Sequence, residues 1–180
     1  IYFKGNYIAR NIDKSIYYFE LSVNQMNTTS MYYLGRIYYD GLYVKKNREK
    51  ALSYFLLGSS HNEPNSQNYL GEIYFNGEIV KRDINKAIYY FQLAANQNHE
   101  EAQNNLGFIF FAGIYIERDM NKAIHYLKQA SYNNNGIAQY LLFYIYFLGK
   151  YTSKDIKKGL FFLELSSKNN YHLSQLYLGD

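Results

Sequence analysis

The side chains that most often carry chemistry are sparse in this sequence and lack the spacing that such chemistry requires. The four histidines, His61, His99, His125 and His172, never pair at i and i+4, and none stands in an HExxH frame. The chain has no cysteine, which excludes disulfides, thiolate metal sites and cysteine nucleophiles. We therefore expect no metal site.

The carboxylates give no stronger candidate for catalysis. Glu100 and Glu101 are neighbours on successive helix directions, and we interpret them as first-turn charges that complement the helix dipole, not as an acid/base pair. Arg36 and Glu72 are the one candidate pair of titratable groups, and we interpret them as a rim ion pair. The sequence contains no phosphate-binding loop and no nucleophile elbow. It therefore predicts no catalytic residue, no cofactor and no small-molecule substrate.

Lysines recur at one place in the sequence, near the predicted starts of helices. Positive charge is mildly unfavourable there, so we expect an acidic partner or packing of the lysine stems over apolar neighbours. A row of lysines on phosphates is the alternative, but the sequence does not arrange them with aromatic platforms on one face. The net charge of +4 is mild and spread along the chain, so nucleic acid is a minor option. These lysines are Lys14, Lys50, Lys86, Lys122 and Lys158.

The elements that would position these side chains form a repeat with a period of 36 residues. The stretch YLGEIYFNG at 69–77 returns as YLGRIYYDG and as NLGFIFFAG. Each stretch has a second glycine that we expect just past a helix end, in the left-handed conformation that glycine adopts freely. These glycines are Gly41, Gly77 and Gly113, and Gly5 and Gly149 continue the series.

The first glycine of each stretch lies in the middle of a predicted helix. It costs about 1 kcal/mol relative to alanine, so we expect it to allow close approach of a neighbouring helix. The residues concerned are Gly35, Gly71 and Gly107; Phe143 replaces the next one, and Gly179 occupies the position after that.

Each repeat resolves into two helices. The first runs from about Glu100 to Ala112 in the middle repeat, with apolar residues at spacings of three and four. A capping residue marks the start of the second helix, and an asparagine that tolerates the left-handed conformation follows its end. Pro64 falls in the first turn of a first helix, where its missing amide does no harm. The caps are Asn11, Asn47, Asp83, Asp119 and Asp155, and the later asparagines are Asn62, Asn98, Asn134 and Asn170.

Together these signals predict an all-α, right-handed superhelical solenoid of antiparallel helix pairs. We expect about four full repeats, at 27–62, 63–98, 99–134 and 135–170, with partial repeats at 1–26 and 171–180. Neither end supplies the polar cap that a solenoid needs, so we expect the chain to be a segment of a longer protein.

The frame A-x-x-x-L-G-x-I/Y-x-x-x-G followed by D-x-x-K-A resembles the Sel1-like repeat, a relative of the tetratricopeptide repeat. The resemblance covers essentially the whole chain. Its departures are Phe143 and Gly159, which predict looser packing near Phe143, and Gly58. The middle repeat carries the frame on Ala102, Leu106, Gly107, Gly113, Ile116, Asp119, Lys122, Ala123 and Ala130.

The resemblance implies a non-catalytic scaffold or adaptor that binds protein partners, as part of a larger complex. Such families act in quality control at the endoplasmic reticulum, in signalling or in bacterial host interaction. A helical-repeat RNA-binding module is the alternative function, since repeats of similar length can read one base each. No apolar run approaches the length that spans a bilayer, and the lack of cysteine fits a reducing compartment such as the cytoplasm.

In the related tetratricopeptide geometry the first helix of each pair lines a concave groove. The non-framework positions of the first helices are therefore the predicted contact surface, and its character changes from mixed and polar to aromatic along the chain. Tyr and Arg dominate interface hot spots, although many tyrosines here would also suit ordinary packing. The predicted partner-binding residues are Tyr32, Arg36, Asn68, Glu72, Asn104, Phe108, Tyr140 and Tyr144.

Overall fold

A computed structural model describes residues 11–41 and 44–179 of the chain. These residues form helices joined by short connections and contain no strand. The all-α prediction is therefore confirmed, and the predicted bounds of the first helix in the middle repeat match α6. The helices are α1 Ile12–Asn24, α2 Thr28–Asp40, α3 Arg48–Ser60, α4 Pro64–Asn76, α5 Ile84–Ala95, α6 Glu100–Ala112, α7 Met120–Tyr132, α8 Gly136–Leu148, α9 Ile156–Lys168 and α10 His172–Leu178.

The odd-numbered helices are the second helices of the repeats, and all of them begin at the predicted caps. In each case the side-chain oxygen of the cap accepts a hydrogen bond from the backbone N–H of the lysine three residues later, at 2.9–3.0 Å. This bond satisfies one of the free amides of the first turn. The even-numbered, first helices are capped less uniformly: His99 caps α6 through Nδ1, and Pro64 is the first residue of α4.

The ends of the helices confirm the predicted backbone conformations. The glycines that follow α2, α4, α6 and α8 have φ between 62° and 73°, and the four predicted asparagines have φ between 61° and 66°. Gly5 lies outside the described residues. Gly179 differs from the prediction: it does not sit inside a helix but ends α10 with φ 79°.

The mid-helix glycines permit close helix packing, as predicted. A β-carbon on Gly35 would lie 2.5 Å from the ring of Phe55, and one on Gly107 would lie 2.6 Å from the Leu127 side chain. The looser packing expected near Phe143 is not what the structure shows, because Phe143 is buried. Gly159 on the partner helix provides the close approach instead: a β-carbon there would lie 3.1 Å from the Phe147 backbone nitrogen.

The chain divides into two compact units, Ile1–Tyr90 and Phe91–Asp180, which we call the N-terminal and C-terminal units. In the N-terminal unit the core is built on Phe55, Leu70 and Ile73. In the C-terminal unit it contains Leu127 and Leu142 among other apolar residues. Within each unit, first helices of neighbouring repeats also contact each other, α2 with α4 and α6 with α8.

Candidate partner-binding face

The predicted partner-binding residues occupy two positions of each first helix, four residues apart, so they share one side of the helix. In the N-terminal unit they are Tyr32 and Arg36 on α2, and Asn68 and Glu72 on α4. Asn68 is only 5% exposed, whereas the other three are half-buried. Three of these four side chains can therefore reach a partner directly, and Asn68 mainly supports its neighbours.

Hydrogen bonds and an ion pair hold this part of the face in place. The Arg36 guanidinium lies 3.2 Å from the Asp40 carboxylate, one turn along α2, and 6.0 Å from the centroid of the Tyr32 ring. Asn68 Nδ2 donates to the Glu72 carboxylate at 2.9 Å. The sequence paired Arg36 with Glu72, but the ion pair that the structure gives Arg36 is with Asp40. Residues at i and i+4 are neighbours on the surface of one helix, which places Asp40 within reach of Arg36.

The tyrosines of this part of the face stay protonated at physiological pH. Burial raises the pKa of Tyr69 to about 12. Burial also raises the pKa of Tyr32, although a hydrogen bond with Arg36 opposes that rise. The Tyr32 and Tyr69 rings lie 5.9 Å apart. Tyr32 and Tyr69 therefore present neutral phenols beside the Arg36 guanidinium. This arrangement suits hydrogen bonding to a peptide more than acid–base catalysis.

In the C-terminal unit three of the four predicted positions carry aromatic side chains. Phe108 on α6 and Tyr144 on α8 are each 43% exposed at the same position of their helices. Asn104, one turn before Phe108, is half-buried, and its Oδ1 is a buried acceptor without a hydrogen-bond partner. Large exposed apolar groups next to a preformed polar group are typical of interaction surfaces.

Tyr140 has a different role from Tyr144. Its ring centroid lies 5.3 Å from that of Tyr171, 6.1 Å from Tyr177 and 5.7 Å from Phe143. Burial, together with the neighbouring Tyr177, raises the pKa of the Tyr140 phenol. Tyr140 is thus mainly a packing residue between α8 and α10, and Tyr144 is the more accessible member of the pair.

A pocket of about 290 Å³ opens beside Tyr144, between the C-terminal ends of α6 and α8 and the loops that follow them. Its apolar lining consists of Phe111, Met120, Ile145 and Leu148. Its polar lining consists of Arg118, Lys150 and the phenols of Tyr144 and Tyr151. This volume is close to the lower end of the range of small-molecule sites and is large enough for a side chain of a partner.

The cations of this pocket hold defined positions. Arg118 donates from Nε to the Phe111 carbonyl at 2.8 Å and from Nη2 to the Ala112 carbonyl at 3.1 Å, so it caps the C-terminus of α6. The Arg118 guanidinium lies 4.1 Å from the centroid of the Tyr151 ring. A hydrogen bond with Lys150 lowers the pKa of Tyr151, and the charges of Arg118 and Lys150 lower it further.

Sequence reasoning missed Arg118, Lys150 and Tyr151. For Arg118 a signal existed, because a basic residue stands five positions after the second glycine in four repeats: Lys46, Arg82, Arg118 and Lys154. Lys150 has no basic counterpart in the other repeats. The 36-residue period therefore indicates Arg118, whereas only the fold shows that Lys150, which does not recur, lines the same pocket.

Four of the recurring lysines share a contact with an aromatic ring, and two of these four have the expected acidic partner. Lys50, Lys86, Lys122 and Lys158 lie over aromatic rings at 4.1–5.2 Å from the ring centroids. Each of these rings is in turn stacked on a ring of the second helix. Lys50 and Lys122 also form ion pairs, with Glu20 and Asp119. A cation–π contact offsets the unfavourable position of the charge near a helix N-terminus, so the lysine row has a structural explanation. The rings are Tyr38, Tyr74, Phe110 and Tyr146, stacked on Tyr54, Tyr90, Tyr126 and Phe162.

Exposed aromatic side chains also lie on second helices, a feature that the sequence analysis did not single out. Tyr17 on α1, Tyr89 on α5 and Phe161 on α9 are exposed. They occupy equivalent positions of the 36-residue repeat. These residues provide a natural comparison for the first-helix face, because they match its aromatic character on a different set of helices.

Within the described ranges, no three metal-ligating side chains come together, and no helix has the length and apolar character needed to cross a bilayer. Tandem helix pairs, a fixed 36-residue period and a recurring Lys–aromatic contact define an α-solenoid repeat protein. The model of the Sel1 repeat family matches residues 1–25, 28–62, 64–99, 100–135 and 136–171. The chain belongs to the Sel1 repeat family, whose members are generally non-catalytic scaffolds that bind proteins.

Solved structures share this fold. A protective antigen from uropathogenic Escherichia coli strains is 26% identical, with a TM-score of 0.91 over 98% of this chain and 38% of that one. A Sel1 repeat protein from Oxalobacter formigenes is 22% identical, with a TM-score of 0.92 over 99% of this chain and 73% of that one. Cysteine-rich protein B from Helicobacter pylori is 22% identical, with a TM-score of 0.56, over 74% of this chain and 96% of that one.

The present chain thus spans 38% of the length of the protective antigen it resembles. No curated protein sequence matches it. The likenesses to the Oxalobacter and Helicobacter proteins concern the fold alone. The solenoid fold class predicted from the sequence is confirmed by these structures.

Proposed function

We propose that this chain is a non-catalytic scaffold that binds a peptide or a folded protein on the face of its first helices, within a larger complex. One observation carries the proposal: Phe108 and Tyr144 are both 43% exposed at equivalent positions of the contacting helices α6 and α8. Aromatic side chains supply large contact areas at low conformational cost, so such pairs are typical anchors.

The order of the first-helix side chains in the N-terminal unit supports the same function. Asn68 and Glu72 are hydrogen-bonded to each other, and Arg36 is paired with Asp40. A partner would therefore meet side chains that are already ordered, which lowers the entropy that binding costs. We expect the chain itself to have no enzymatic activity, and the partner to be a protein rather than a nucleic acid or a small molecule.

The test is affinity capture from a lysate of the source cells, with identification of the captured proteins by mass spectrometry. The variant Phe108→Ala/Tyr144→Ala should reduce recovery of specific partners by about tenfold or more, because hot-spot aromatic residues dominate binding energy. The matched control is Phe161→Ala, which removes an exposed aromatic residue from α9 in the same unit. Circular dichroism should show unchanged helicity for both variants.

Two results would contradict the proposal. If Phe161→Ala abolishes capture and the double variant does not, the second helices carry the binding face. If nuclease treatment or raised salt removes the captured material and nucleic acid is recovered, the chain is an RNA-binding module.

A further inference from the structure

The pocket beside Tyr144 has a charge that its own residues do not neutralise. Its lining includes Arg118 and Lys150 and no carboxylate. Among the described residues, no acidic side chain forms an ion pair with either cation. Both cations are exposed, and they stand at the rim of an apolar floor.

The direction of the Arg118 guanidinium is set before any ligand arrives. Two hydrogen bonds to α6 carbonyls and the Tyr151 ring hold the group. A guanidinium has five N–H donors, so further donors remain for a carboxylate. Lys150 adds a second cation, at 5.2 Å from the centroid of the same Tyr151 ring.

We propose that this pocket binds a glutamate or aspartate side chain of a protein partner, flanked in that partner by an apolar residue. The inference rests on the proposed function, because it specifies the chemistry of the partner that the first-helix face binds. The carboxylate pairs with Arg118 and Lys150, and charge-assisted hydrogen bonds of this kind are stronger than neutral ones. The apolar neighbour covers the exposed side chain of Leu148 and the ring of Tyr144.

The apolar floor favours an acidic peptide over a phosphate. Phe111, Met120 and Leu148 would stay in contact with water if only a phosphate occupied the rim, whereas an apolar side chain beside a carboxylate removes them from water. One short segment of a protein can therefore both pair with the two cations and cover the apolar floor.

The experiment is selection of a displayed library of random peptides on the intact chain and on two variants. Lys150→Glu reverses a charge inside the pocket. Lys157→Glu makes the same change at an exposed lysine of α9 that does not line the pocket. We expect the wild type and Lys157→Glu to enrich peptides with an acidic residue next to an apolar one, and Lys150→Glu to lose that enrichment.

A synthetic peptide of the enriched sequence should bind Lys150→Glu about tenfold more weakly than it binds the wild type. A version of that peptide with glutamine in place of the acidic residue should bind the wild type equally weakly.

The outcomes separate this inference from the proposed function. Enriched peptides without acidic residues, or equal binding to the wild type and Lys150→Glu, would overturn the inference that this basic pocket binds an acidic side chain, while leaving a peptide-binding face. Failure to enrich any peptide would overturn the acidic-side-chain inference, whereas a folded partner recovered by affinity capture would still support the proposed scaffold function. A single-stranded RNA oligonucleotide that binds the wild type and loses affinity in Lys150→Glu would show that the pocket serves phosphates instead. Tyr144→Ala is a second variant within the pocket, and it should weaken binding of the same peptide without reversing a charge.

Discussion

At the residue scale, Met26 adopts a backbone conformation that its side chain disfavours. It stands where the later repeats carry Asn62, Asn98, Asn134 and Asn170, and its φ is 60°. Asparagine tolerates the left-handed region because its short amide can hydrogen-bond locally, whereas an unbranched apolar side chain gains nothing there. Met26 is also exposed, so it contributes little packing in return.

We expect Met26→Asn to stabilise the chain by about 1 kcal/mol, the approximate cost of the left-handed conformation for an ordinary residue. Urea denaturation should show a higher midpoint with an unchanged slope. The reverse change, Asn62→Met, is the matched control and should lower the midpoint. A lower midpoint for Met26→Asn would mean that the methionine packs in a way its exposure does not suggest.

At the element scale, the pairs α2–α3, α6–α7 and α8–α9 each have one small residue where the two helices approach. Gly35 and Gly107 fill this role on first helices, against Phe55 and Leu127. In the α8–α9 pair the first helix carries Phe143, and Gly159 on the second helix allows the approach. The requirement is thus a property of the helix pair and can move from one partner to the other.

Gly107→Ala should destabilise the chain by up to about 2 kcal/mol. Overpacking against Leu127 costs about 1–3 kcal/mol, and the better helix propensity of alanine returns about 1 kcal/mol. Thermal denaturation of the single variants and of Gly107→Ala/Leu127→Ala tests the cause. The double variant should be more stable than the sum of the two single effects predicts, since the shortened side chain removes the collision. Additive effects would place the cost elsewhere.

At the scale of the whole molecule, the half-buried tyrosines make the stability fall at alkaline pH. Burial is the largest cause of the raised pKa values of Tyr32, Tyr39, Tyr54, Tyr69 and Tyr90. A raised value means that the folded state keeps a proton that the unfolded state releases. The contribution of such a group is complete below its unfolded pKa and declines as the pH rises toward the folded value.

We therefore expect stability to fall between pH values of about 10 and 12, the ordinary pKa of tyrosine and the raised pKa of Tyr69. Far-ultraviolet circular dichroism across this range measures the loss of helix. Tyr69→Phe should make the decline shallower, because it removes the largest of these differences. Tyr132→Phe, at a highly exposed tyrosine, should leave it unchanged. Equal curves for the wild type and Tyr69→Phe would mean that other groups control alkaline unfolding.

The sequence by itself determined the 36-residue repeat and the backbone conformation at the ends of its helices. Capping residues, left-handed asparagines and terminal glycines act through the local backbone. Each of them therefore predicts where a helix begins or ends within three or four residues. The bounds of α6, the caps of the second helices and the place of Pro64 all followed from such local signals.

Only the tertiary structure decided which side chains meet. It packed half-buried Tyr140 among rings while exposing Tyr144, and joined Arg118 to Lys150 in one pocket. It also set the recurring lysines over aromatic rings. These contacts depend on how neighbouring helices and loops pack, and packing brings together residues whose separation in sequence gives no sign of their distance in space.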